Sequence, residues 1–516
     1  MKTINKFAIS LLLLSAGLGL TGCDSFLKEY SQDLAKVESW EDLDEVLLGN
    51  VYASPSRIYV ENYTLYMDGG GLNLDILHFM SDEIQMTDEY GLDSGWYGEQ
   101  FAFYTWQKDT GVDSKMRYVG GDDRYWNSLY ERINVCNMIL SLIDEQPENF
   151  PTDAVEKERV KGEASFMRGL FYFMLTNLYA KPYDPATAAS TPGMPIKFTE
   201  FVEDREFERE TLAGTYGKIL EDLNQAEKCL ENKKRKSRYR VDVSAVRLLL
   251  SRVWLYMQNW EKAAEYAEKV LTANNTLLTL AGKTPGQSCL DASCPEILFF
   301  MGDYNVSAAF ADDNWDYSIW KISDDMYGLY TDNDYRKNRY IGESQYNGQG
   351  QMFRKVNGQR EAWGSYFGAS SVFTFRTSEA YLNLAEASAY GGDEAKAKST
   401  LESFLRTRMS SEPTIPESGN DLIDFIRDER ARELLLEGHR WFDLRRYTVC
   451  QPYPWSKEIS HNYCYFDNYS ADYSDWYRLE KNDEAYTLPV PREIRSFQNS
   501  LEVIFRPART PYATSH

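Results

Sequence analysis

The sequence predicts a mainly α-helical protein, and three observations support that prediction. Apolar residues recur at three-and-four spacing over several long segments. Two segments, near residues 244–272 and 379–406, carry the small-residue pattern of a helical hairpin. The alternation of strands and helices that a catalytic barrel requires is not seen in the sequence. The 516 residues exceed the usual size of one hydrophobic core, but long helical folds remain one continuous body.

Residues 1–22 have the pattern of a removable targeting signal. The segment starts with two lysines, and its apolar run is too short to cross a bilayer as a helix. The run ends in "LTGC", a bacterial lipobox, in which small residues leave the bond before the cysteine open to a peptidase. We therefore expect Cys23 to be the lipidated first residue of the mature protein, followed by a tether over residues 23–36.

The first predicted helix follows the tether in "SWEDLDEVLLGNVYA", with Ser39 as its N-cap. A glycine-rich and aromatic region from Asp68 to Gly121 shows no sustained period and is predicted to form loops with short helices. Strong helical periodicity returns in "YWNSLYERINVCNMILSLI". The next helix, "GEASFMRGLFYFMLTNLY", is apolar almost all round and should be buried until Pro182 ends it. "TLAGTYGKILEDLNQAEKCL" gives a further amphipathic helix.

Two hairpin units follow the tetratricopeptide pattern, in which small side chains let two helices approach closely. The first places Ser251 on one helix and Ala263 on the second, and the other unit has Ala385 and Ala397 at the corresponding positions. Two separated units are too few for a free solenoid. We therefore predict one domain over 37–516, which consists of an N-terminal part 37–240, the two hairpins, a loop-rich insertion 276–374 and a C-terminal part 420–516.

The insertion is rich in aromatic and turn residues, and so long a loop-rich segment is usually functional. After it, "LIDFIRDERARELLLEGHRWFDLRRY" is predicted to be helical. Five charged residues there have the spacing to interlock along one helix, namely Glu429, Arg432, Glu433, Glu437 and Arg440. His439 is expected to pair with neighbouring carboxylates.

Charge and cysteine content limit the possible partners and cofactors. A formal net charge of −23 repels phosphate backbones, so nucleic acid is not expected as a partner. The basic run Lys233–Lys236 is predicted to be a solvated turn between helices. The sequence does not decide whether two cysteine pairs, Cys289–Cys294 and Cys450–Cys464, form disulfides. Cys136 and Cys229 are expected to be free and buried. Neither pair has zinc-site spacing, and "DDNWDY" and "TDNDYR" lack the EF-hand order, so we predict no metal and no cofactor.

Taken in order, several motifs resemble those of one family. They are the lipobox, "WNSLYERINVCN", "GEASFMRGLFYFMLTNLY", "GMPI", "TYGKILEDLNQAE", "SRVWLYMQNWEKAAEYAEKVL", "SEAYLNLAEA", "RARELLLEGHRWFDLRRY" and "YTLPVPREI". This series is similar to that of the SusD/RagB family of nutrient-binding outer-membrane lipoproteins. The chain departs from the family at its end, where "SFQNSLEVIFRPART" replaces a "QNPGY"-like segment.

The resemblance implies a SusD-like helical body built on tetratricopeptide-like hairpins and held by its lipid at the outer surface of a Bacteroidota-type cell. It implies a partner, a SusC-like TonB-dependent transporter, over which the protein closes like a lid. It also implies a ligand, an oligosaccharide or in some members a peptide, that is bound and delivered without catalysis.

The residue chemistry agrees with a sugar ligand. Sugar rings present apolar C–H faces, so flat aromatic side chains with nearby amides and carboxylates suit them. We predict six ligand-binding aromatics in the two non-periodic regions, namely Trp96, Tyr97 and Trp106 in the first and Trp315, Tyr317 and Trp320 in the second. Asp82, Asp313 and Asp316 are possible partners for sugar hydroxyls.

Two other classes of function remain as alternatives. A surface glycan hydrolase would need a pair of carboxylates, but 79 acidic residues make such pairs uninformative. The sequence has only four histidines and contains no HExxH, GxSxG or phosphate-binding glycine loop, so we predict that the protein is not an enzyme. A pure protein-interaction scaffold would explain the hairpins but not the lipobox together with the aromatic-rich insertion.

Overall fold

The structure is a computed structural model, and it describes most of the chain after the predicted tether. The described residues are 37–516 apart from 54–56, 61–62, 67–71, 73, 89–97, 202, 204, 292, 302–318, 344–349, 357–371, 468–469, 499 and 502–503. The predicted signal, Cys23 and the tether therefore lie outside the described residues.

The chain enters the fold through helix α1, Trp40–Val46, as the sequence predicts. The Ser39 hydroxyl accepts a hydrogen bond from the Asp42 backbone N–H at 3.3 Å, and the Asp42 carboxylate accepts one from the Ser39 N–H at 3.0 Å. This reciprocal capping box satisfies two N–H groups that the first turn leaves free. A π-helical turn, Leu47–Val51, continues α1 and buries Leu47 and Val51 in the core.

Short elements follow α1, in agreement with the predicted loop-rich region. They are β1 (Arg57–Val60), β2 (Tyr63–Tyr66), α2 (Ile76–Phe79), β3 (Ile84–Met86) and α3 (Gly98–Tyr104). Strands β1 and β2 form an antiparallel pair. This region therefore lacks a long helix among its described residues, and its short helices leave space between them.

Three long helices form the centre of the protein. They are α4 (Arg124–Leu142), α5 (Asp153–Tyr179) and α6 (Leu212–Leu230), and α5 packs against both others. From Gly162 to Tyr179, α5 is buried on nearly every side, as predicted, and it ends before Pro182. A Cβ at Gly162 would lie 2.8 Å from side-chain atoms of α6, so a glycine is needed for this close approach. None of the described helices has the length and apolarity to span a membrane.

Both predicted helical hairpins are present. The first consists of α7 (Val243–Tyr256) and α8 (Trp260–Ala273), while α11 and α12 of the second span Thr377–Tyr390 and Glu394–Leu405. The Ser251 hydroxyl donates to the Ala263 carbonyl at 2.9 Å, so the small residue does bring the two helices together. The hairpins also contact each other, because α11 packs on α8 and the rings of Trp260 and Tyr390 stack at 4.6 Å.

The insertion contains short strands and short helices. Its described elements are β4 (Ile297–Phe300), β5 (Trp320–Ile322), α9 (Asp324–Gly328), α10 (Arg336–Arg339), β6 (Ile341–Glu343), β7 (Gln351–Phe353) and β8 (Thr374–Arg376). All its described pairings are antiparallel: β4 with β8, β6 with β7, and β5 with β3. The β3–β5 pair joins the insertion to the N-terminal loop-rich region.

The C-terminal part differs from the predicted helix. The chain forms α13 (Gly419–Glu433) and α14 (Arg440–Tyr447) with a break between them. Leu436 and Gly438 adopt positive φ values of 53° and 78° there, which a continuous helix does not allow. A sheet that the sequence analysis did not predict follows, in the order β11 (Ala513–Ser515), β10 (Ser470–Leu479), β9 (Ile459–Asp467), with helix α15 at Arg492–Phe497.

The charged residues of this part do not interlock along one helix, so that prediction is corrected. Only Glu429 pairs with Arg432 as expected. Glu433 instead binds three arginines that come from other elements: Arg336, Arg376 and Arg408. Glu437 binds Arg376 and Lys355, and Arg440 binds Asp82. Their partners lie in three other parts of the chain: Asp82 in the N-terminal loop-rich region, Arg336, Lys355 and Arg376 in the insertion, and Arg408 after α12. We call Glu433, its three arginines and Glu437 the ion network.

The structure also describes the cysteines and His439, on which the sequence analysis made expectations. The six cysteines of the described residues are all free and buried, so neither open disulfide pair is formed. No carboxylate among the described residues pairs with His439, so that expectation is corrected. Burial, together with the nearby cations Arg252 and Arg430, holds the pKa of His439 well below its usual range, so the imidazole is neutral.

Candidate functional site

Four of the six predicted ligand-binding aromatics lie outside the described residues. They are Trp96, Tyr97, Trp315 and Tyr317, and two of the possible hydroxyl partners, Asp313 and Asp316, lie there as well. Their role stays a prediction. Trp96 and Tyr97 directly precede α3, which contributes to the site described below.

The structure corrects the prediction for Trp106 and Trp320, because both are buried. Trp106 is 0% and Trp320 4% exposed, so neither ring offers a face to a ligand. The Trp106 indole donates to the Met80 carbonyl at 2.9 Å and stacks on His461 at 4.3 Å. Trp320 lies on β5, paired with β3, instead of in a loop. Both therefore belong to the packed layer behind α2 and α3.

Asp82 is also unavailable to a ligand. Its carboxylate accepts two hydrogen bonds from Arg440, at 2.7 and 2.8 Å, and one from Lys457 at 2.7 Å. Burial alone raises the pKa of Asp82, but the two cations outweigh it and hold that pKa far below its ordinary range. Asp82 is thus a permanently charged member of a buried ion pair.

A small cleft opens where α2, α3 and the start of α4 meet. Its lining residues are Asp75, Ile76, Phe79, Gln100, Phe103, Thr110, Gly120, Gly121, Arg124 and Tyr125. The cleft therefore lies in the first non-periodic region, where the sequence analysis placed half of its predicted site.

Three aromatic rings form one wall of the cleft. Phe103 on α3 and Tyr125 on α4 meet edge to face with ring centroids 5.9 Å apart. Phe79, at the end of α2, packs edge to face against Trp320 at 4.9 Å. Trp320 in turn contacts Tyr104 at 4.8 Å. The two buried tryptophans thus support the wall from behind, although they do not line the cleft.

Polar groups face these rings. The Tyr125 hydroxyl donates to an Asp75 carboxylate oxygen at 3.2 Å. Burial raises the pKa of Asp75 to about 6, so the carboxyl group changes its charge close to neutral pH. The Gln100 side-chain oxygen is buried and has no hydrogen-bond partner in the part of the chain that the structure describes. A buried amide oxygen without a partner is unfavourable unless a ligand or water donates to it.

The mouth of the cleft is formed by a turn before α4. Gly120 and Gly121 both have positive φ, at 83° and 79°, and a Cβ at either position would meet no other atom within 4 Å. The turn therefore requires glycine for its backbone conformation, and it leaves open space beside the rings. Met116, Tyr118 and Val119, next to it in the chain, are exposed.

The site is suited to binding and shows no metal centre. The residues that the structure describes contain no group of three or more histidine, cysteine or acidic side chains placed to hold a metal ion. In "TDNDYR", Asp334 binds Arg336 and Asp332 binds Lys337. An aromatic wall opposite an amide, a carboxyl group and a guanidinium group can hold a flat, hydroxylated ligand.

Sequence reasoning found the region of the cleft but not its residues. It favoured tryptophans, which are large enough to be buried wherever a neighbouring element covers them. It missed Asp75, Gln100 and Tyr125, which come together from three helices. The glycine pair directly before a strong helix was the available signal, since it indicates a turn at the helix start.

Comparison with known proteins places this fold among solved structures. A SusD superfamily protein from Bacteroides thetaiotaomicron shares 20% identity and a TM-score of 0.67, covering 91% of this chain and 100% of its own. A SusD superfamily protein from Bacteroides vulgatus has 19% identity and a TM-score of 0.66, covering 91% and 100%. A SusD-like carbohydrate binding protein from the same species has 20% and 0.66, covering 90% and 98%. These likenesses show the fold.

Family models match both halves of the chain. The model described as "SusD family" matches residues 298–501, and the one described as "Starch-binding associating with outer membrane" matches residues 79–255. The second match includes the cleft residues from Phe79 onward, but not Asp75 and Ile76. No curated protein matches the chain. Because the two family models together cover most of the described residues and the fold agrees with them, the chain belongs to the SusD/RagB family.

Proposed function

We propose that the protein binds oligosaccharides in the cleft and that it does so as a non-catalytic receptor. The observation that carries this proposal is the cleft itself, in which three aromatic rings face Asp75 and the unpartnered oxygen of Gln100. A family model whose description is "Starch-binding associating with outer membrane" matches residues 79–255, which include the three rings and Gln100. The combination favours a carbohydrate over a purely apolar ligand.

In the proposed complex each part of the cleft has a separate task. The C–H groups of a sugar ring at the mouth contact only the edges of Phe103 and Tyr125, because each of these rings is 5% exposed. A sugar hydroxyl donates to the Gln100 oxygen, and others donate to Asp75 when it is ionised. Arg124, which is exposed at the start of α4, donates to ring or hydroxyl oxygens at the mouth. Because so little of the rings is exposed, the polar groups supply both affinity and orientation.

The charge content of the cleft supports binding without hydrolysis. Glycoside hydrolysis generally uses two carboxyl groups on either side of the scissile bond. Of the described residues that line the cleft, Asp75 is the only one with a carboxyl group. Incubation with starch oligosaccharides should therefore release no reducing ends, and their release would contradict the proposed role.

We further propose that the mature protein is held at the outer membrane by a lipid on Cys23 and passes its ligand to a TonB-dependent transporter. The lipobox and the outer-membrane description of the matched family support this. Labelled palmitate should be incorporated into the wild type and not into Cys23→Ala. Pull-down from solubilised outer membranes should recover a TonB-dependent transporter, and its absence would leave delivery without support.

The binding proposal is tested by calorimetry with the mature chain. Maltoheptaose is the first probe, because the matched family is described as starch-binding. We expect saturable binding that Tyr125→Ala reduces at least about tenfold, since the ring edge in the cleft and the hydroxyl that holds Asp75 are both lost. Tyr239→Ala is the matched control, because Tyr239 is exposed on another part of the chain. A peptide mixture that binds in place of every glycan tested would instead favour the peptide-binding alternative within the family.

A further inference from the structure

A positively charged loop contrasts with the acidic character of the whole chain. The segment Lys233–Arg240, "KKRKSRYR", joins α6 to α7 and has six lysines or arginines in eight residues, whereas the formal net charge of the chain is −23. The sequence analysis treated its first four residues as a solvated turn. Its position in the fold indicates a more specific role.

The loop lies against the helix through which the chain enters the fold. Arg240 binds Asp44 of α1 and donates to Glu163 at 2.7 Å. Arg159 donates to the same Asp44 carboxylate at 2.9 Å. Since α1 starts at Trp40, a few residues after the predicted tether ends, the loop lies beside the point at which the tether joins the folded protein.

Only part of the positive charge in the loop is neutralised. Lys236 binds Glu156 at 2.7 Å, and Arg235 donates to the Leu298 backbone carbonyl at 3.1 Å and lies 3.9 Å from the Asp242 carboxylate. Lys233 and Lys234 form no ion pair with any described residue. These four residues line a narrow hollow together with Arg159, Arg240 and the carboxylates of Glu163 and Asp242. The charge available to a partner is therefore concentrated at Lys233 and Lys234, beside which Arg235 has only the more distant carboxylate of Asp242.

Exposed apolar side chains adjoin these cations. Tyr239 is 55% exposed, and at the start of α5 Phe150 and Val155 are 68% and 48% exposed. Val155 directly precedes Glu156, the residue that binds Lys236, so the loop and the start of α5 form one surface. Lysines beside exposed aromatic and aliphatic side chains are typical of surfaces that rest on an anionic membrane interface.

We propose that this surface contacts the anionic headgroups of the membrane to which the protein is anchored. We call it the headgroup patch, and it comprises Lys233, Lys234, Arg235, Tyr239, Phe150 and Val155. The inference rests on the proposed lipid anchor at Cys23. A tether of about 14 residues reaches at most about 50 Å, so the patch is always near the membrane surface. At the resulting high effective concentration even weak binding holds the protein in one orientation.

The test uses the whole mature chain without its lipid, as the Cys23→Ser variant, so that the patch alone is measured. Vesicles of phosphatidylcholine are compared with vesicles containing about 30 mol % phosphatidylglycerol. We expect several-fold more protein to sediment with the anionic vesicles at low salt. At about 0.5 M NaCl this excess should disappear, because salt screens exposed charges. Equal sedimentation with both kinds of vesicle would overturn the proposal.

Charge reversal identifies the residues responsible. Lys233→Glu/Lys234→Glu should remove most of the excess binding. Lys262→Glu/Lys269→Glu, on the exposed face of α8, makes the same change in net charge and should keep it. Loss of the excess binding in both variants would contradict a headgroup site. Binding of the protein to heparin at concentrations at which anionic vesicles do not compete for it would contradict the site as well. A failure of palmitate labelling at Cys23 would refute the anchor while leaving this vesicle measurement intact, so the two failures are distinguishable.

Discussion

Two regions of the molecule bury polar groups in opposite ways. In the ion network, Glu433 is shared by three arginines of the chain itself, with the contact to Arg376 at 2.6 Å. In the cleft, the Asp75 carboxyl group accepts hydrogen bonds from the neutral phenol of Tyr125, at 3.2 Å, and from the Ile76 backbone, and the Gln100 oxygen has no partner among the described groups. Buried polar groups that the chain satisfies hold the fold together. Those that it leaves open are available to a ligand, so the same residue types have different functions.

The largest expected effect comes from breaking the ion network. Glu433→Gln leaves three buried arginines without their shared anion, and removal of one partner from a buried pair generally costs about 3–5 kcal/mol. Urea unfolding should show a loss of this size in the free energy of unfolding. The matched control is Glu412→Gln, whose exposed carboxylate lies 3.7 Å from Arg406 and should change stability by less than about 0.5 kcal/mol. Similar small losses in both variants would mean that the network does not hold the insertion.

The next effect concerns the packed layer behind the cleft. Burial between Tyr104 and Trp106 lowers the pKa of His461 to about 4, whereas an unfolded chain has about 6.5. Between these pH values the unfolded state binds more protons, so stability falls as pH decreases, by up to about 3 kcal/mol. Comparison of unfolding curves for the wild type and His461→Phe from pH 7 to pH 4 should show this difference. Parallel pH dependence of the two proteins would contradict a buried neutral imidazole.

A smaller change should separate stability from binding. Gln100→Leu removes an oxygen that has no described partner, so the free energy of unfolding should stay the same or rise slightly. Maltoheptaose should bind about tenfold more weakly, because a hydroxyl loses its acceptor. Gln225→Leu, the same change on α6, should leave affinity unchanged. Unaltered affinity in Gln100→Leu would remove Gln100 from the site.

The smallest expected effect is a pH dependence of binding. Because burial raises the pKa of Asp75 to about 6, its carboxyl group becomes ionised as pH increases through that value. An ionised carboxylate accepts stronger hydrogen bonds from hydroxyl groups, so affinity should increase a few-fold between pH 5 and pH 7. Calorimetry at several pH values should find no such increase in Asp75→Asn. An increase that persists in this variant would have to come from another group.

The sequence was sufficient to predict most of the helices but not the contacts between distant segments. Ser39, the paired small residues of the hairpins and Pro182 act locally, so their consequences can be predicted from spacing alone. The break at Gly438 could not be predicted in this way. A side chain at that position would lie 2.6 Å from Val372 of the insertion, and this neighbour is known only from the folded structure. For the same reason Glu433 was assigned partners on its own helix.

The candidate site shows the same limit. Burial of Trp106 depends on His461, which lies more than 350 residues further along the chain, and no local pattern reveals that contact. Asp75, Gln100 and Tyr125 lie in three separate segments and come together only when α2, α3 and α4 pack. The aromatic composition indicated the kind of ligand, and the non-periodic region indicated the part of the chain. The individual residues required the structure.

The most direct test of this account is hydrogen–deuterium exchange with and without saturating maltoheptaose. If the open polar groups of the cleft form the binding site, ligand should slow exchange over α3 and over residues 118–125. Exchange over residues 429–440, the segment that contains Glu433 and Glu437 of the ion network, should not change. Slower exchange over 429–440 together with no change over α3 and 118–125 would contradict the assignment of binding to the cleft.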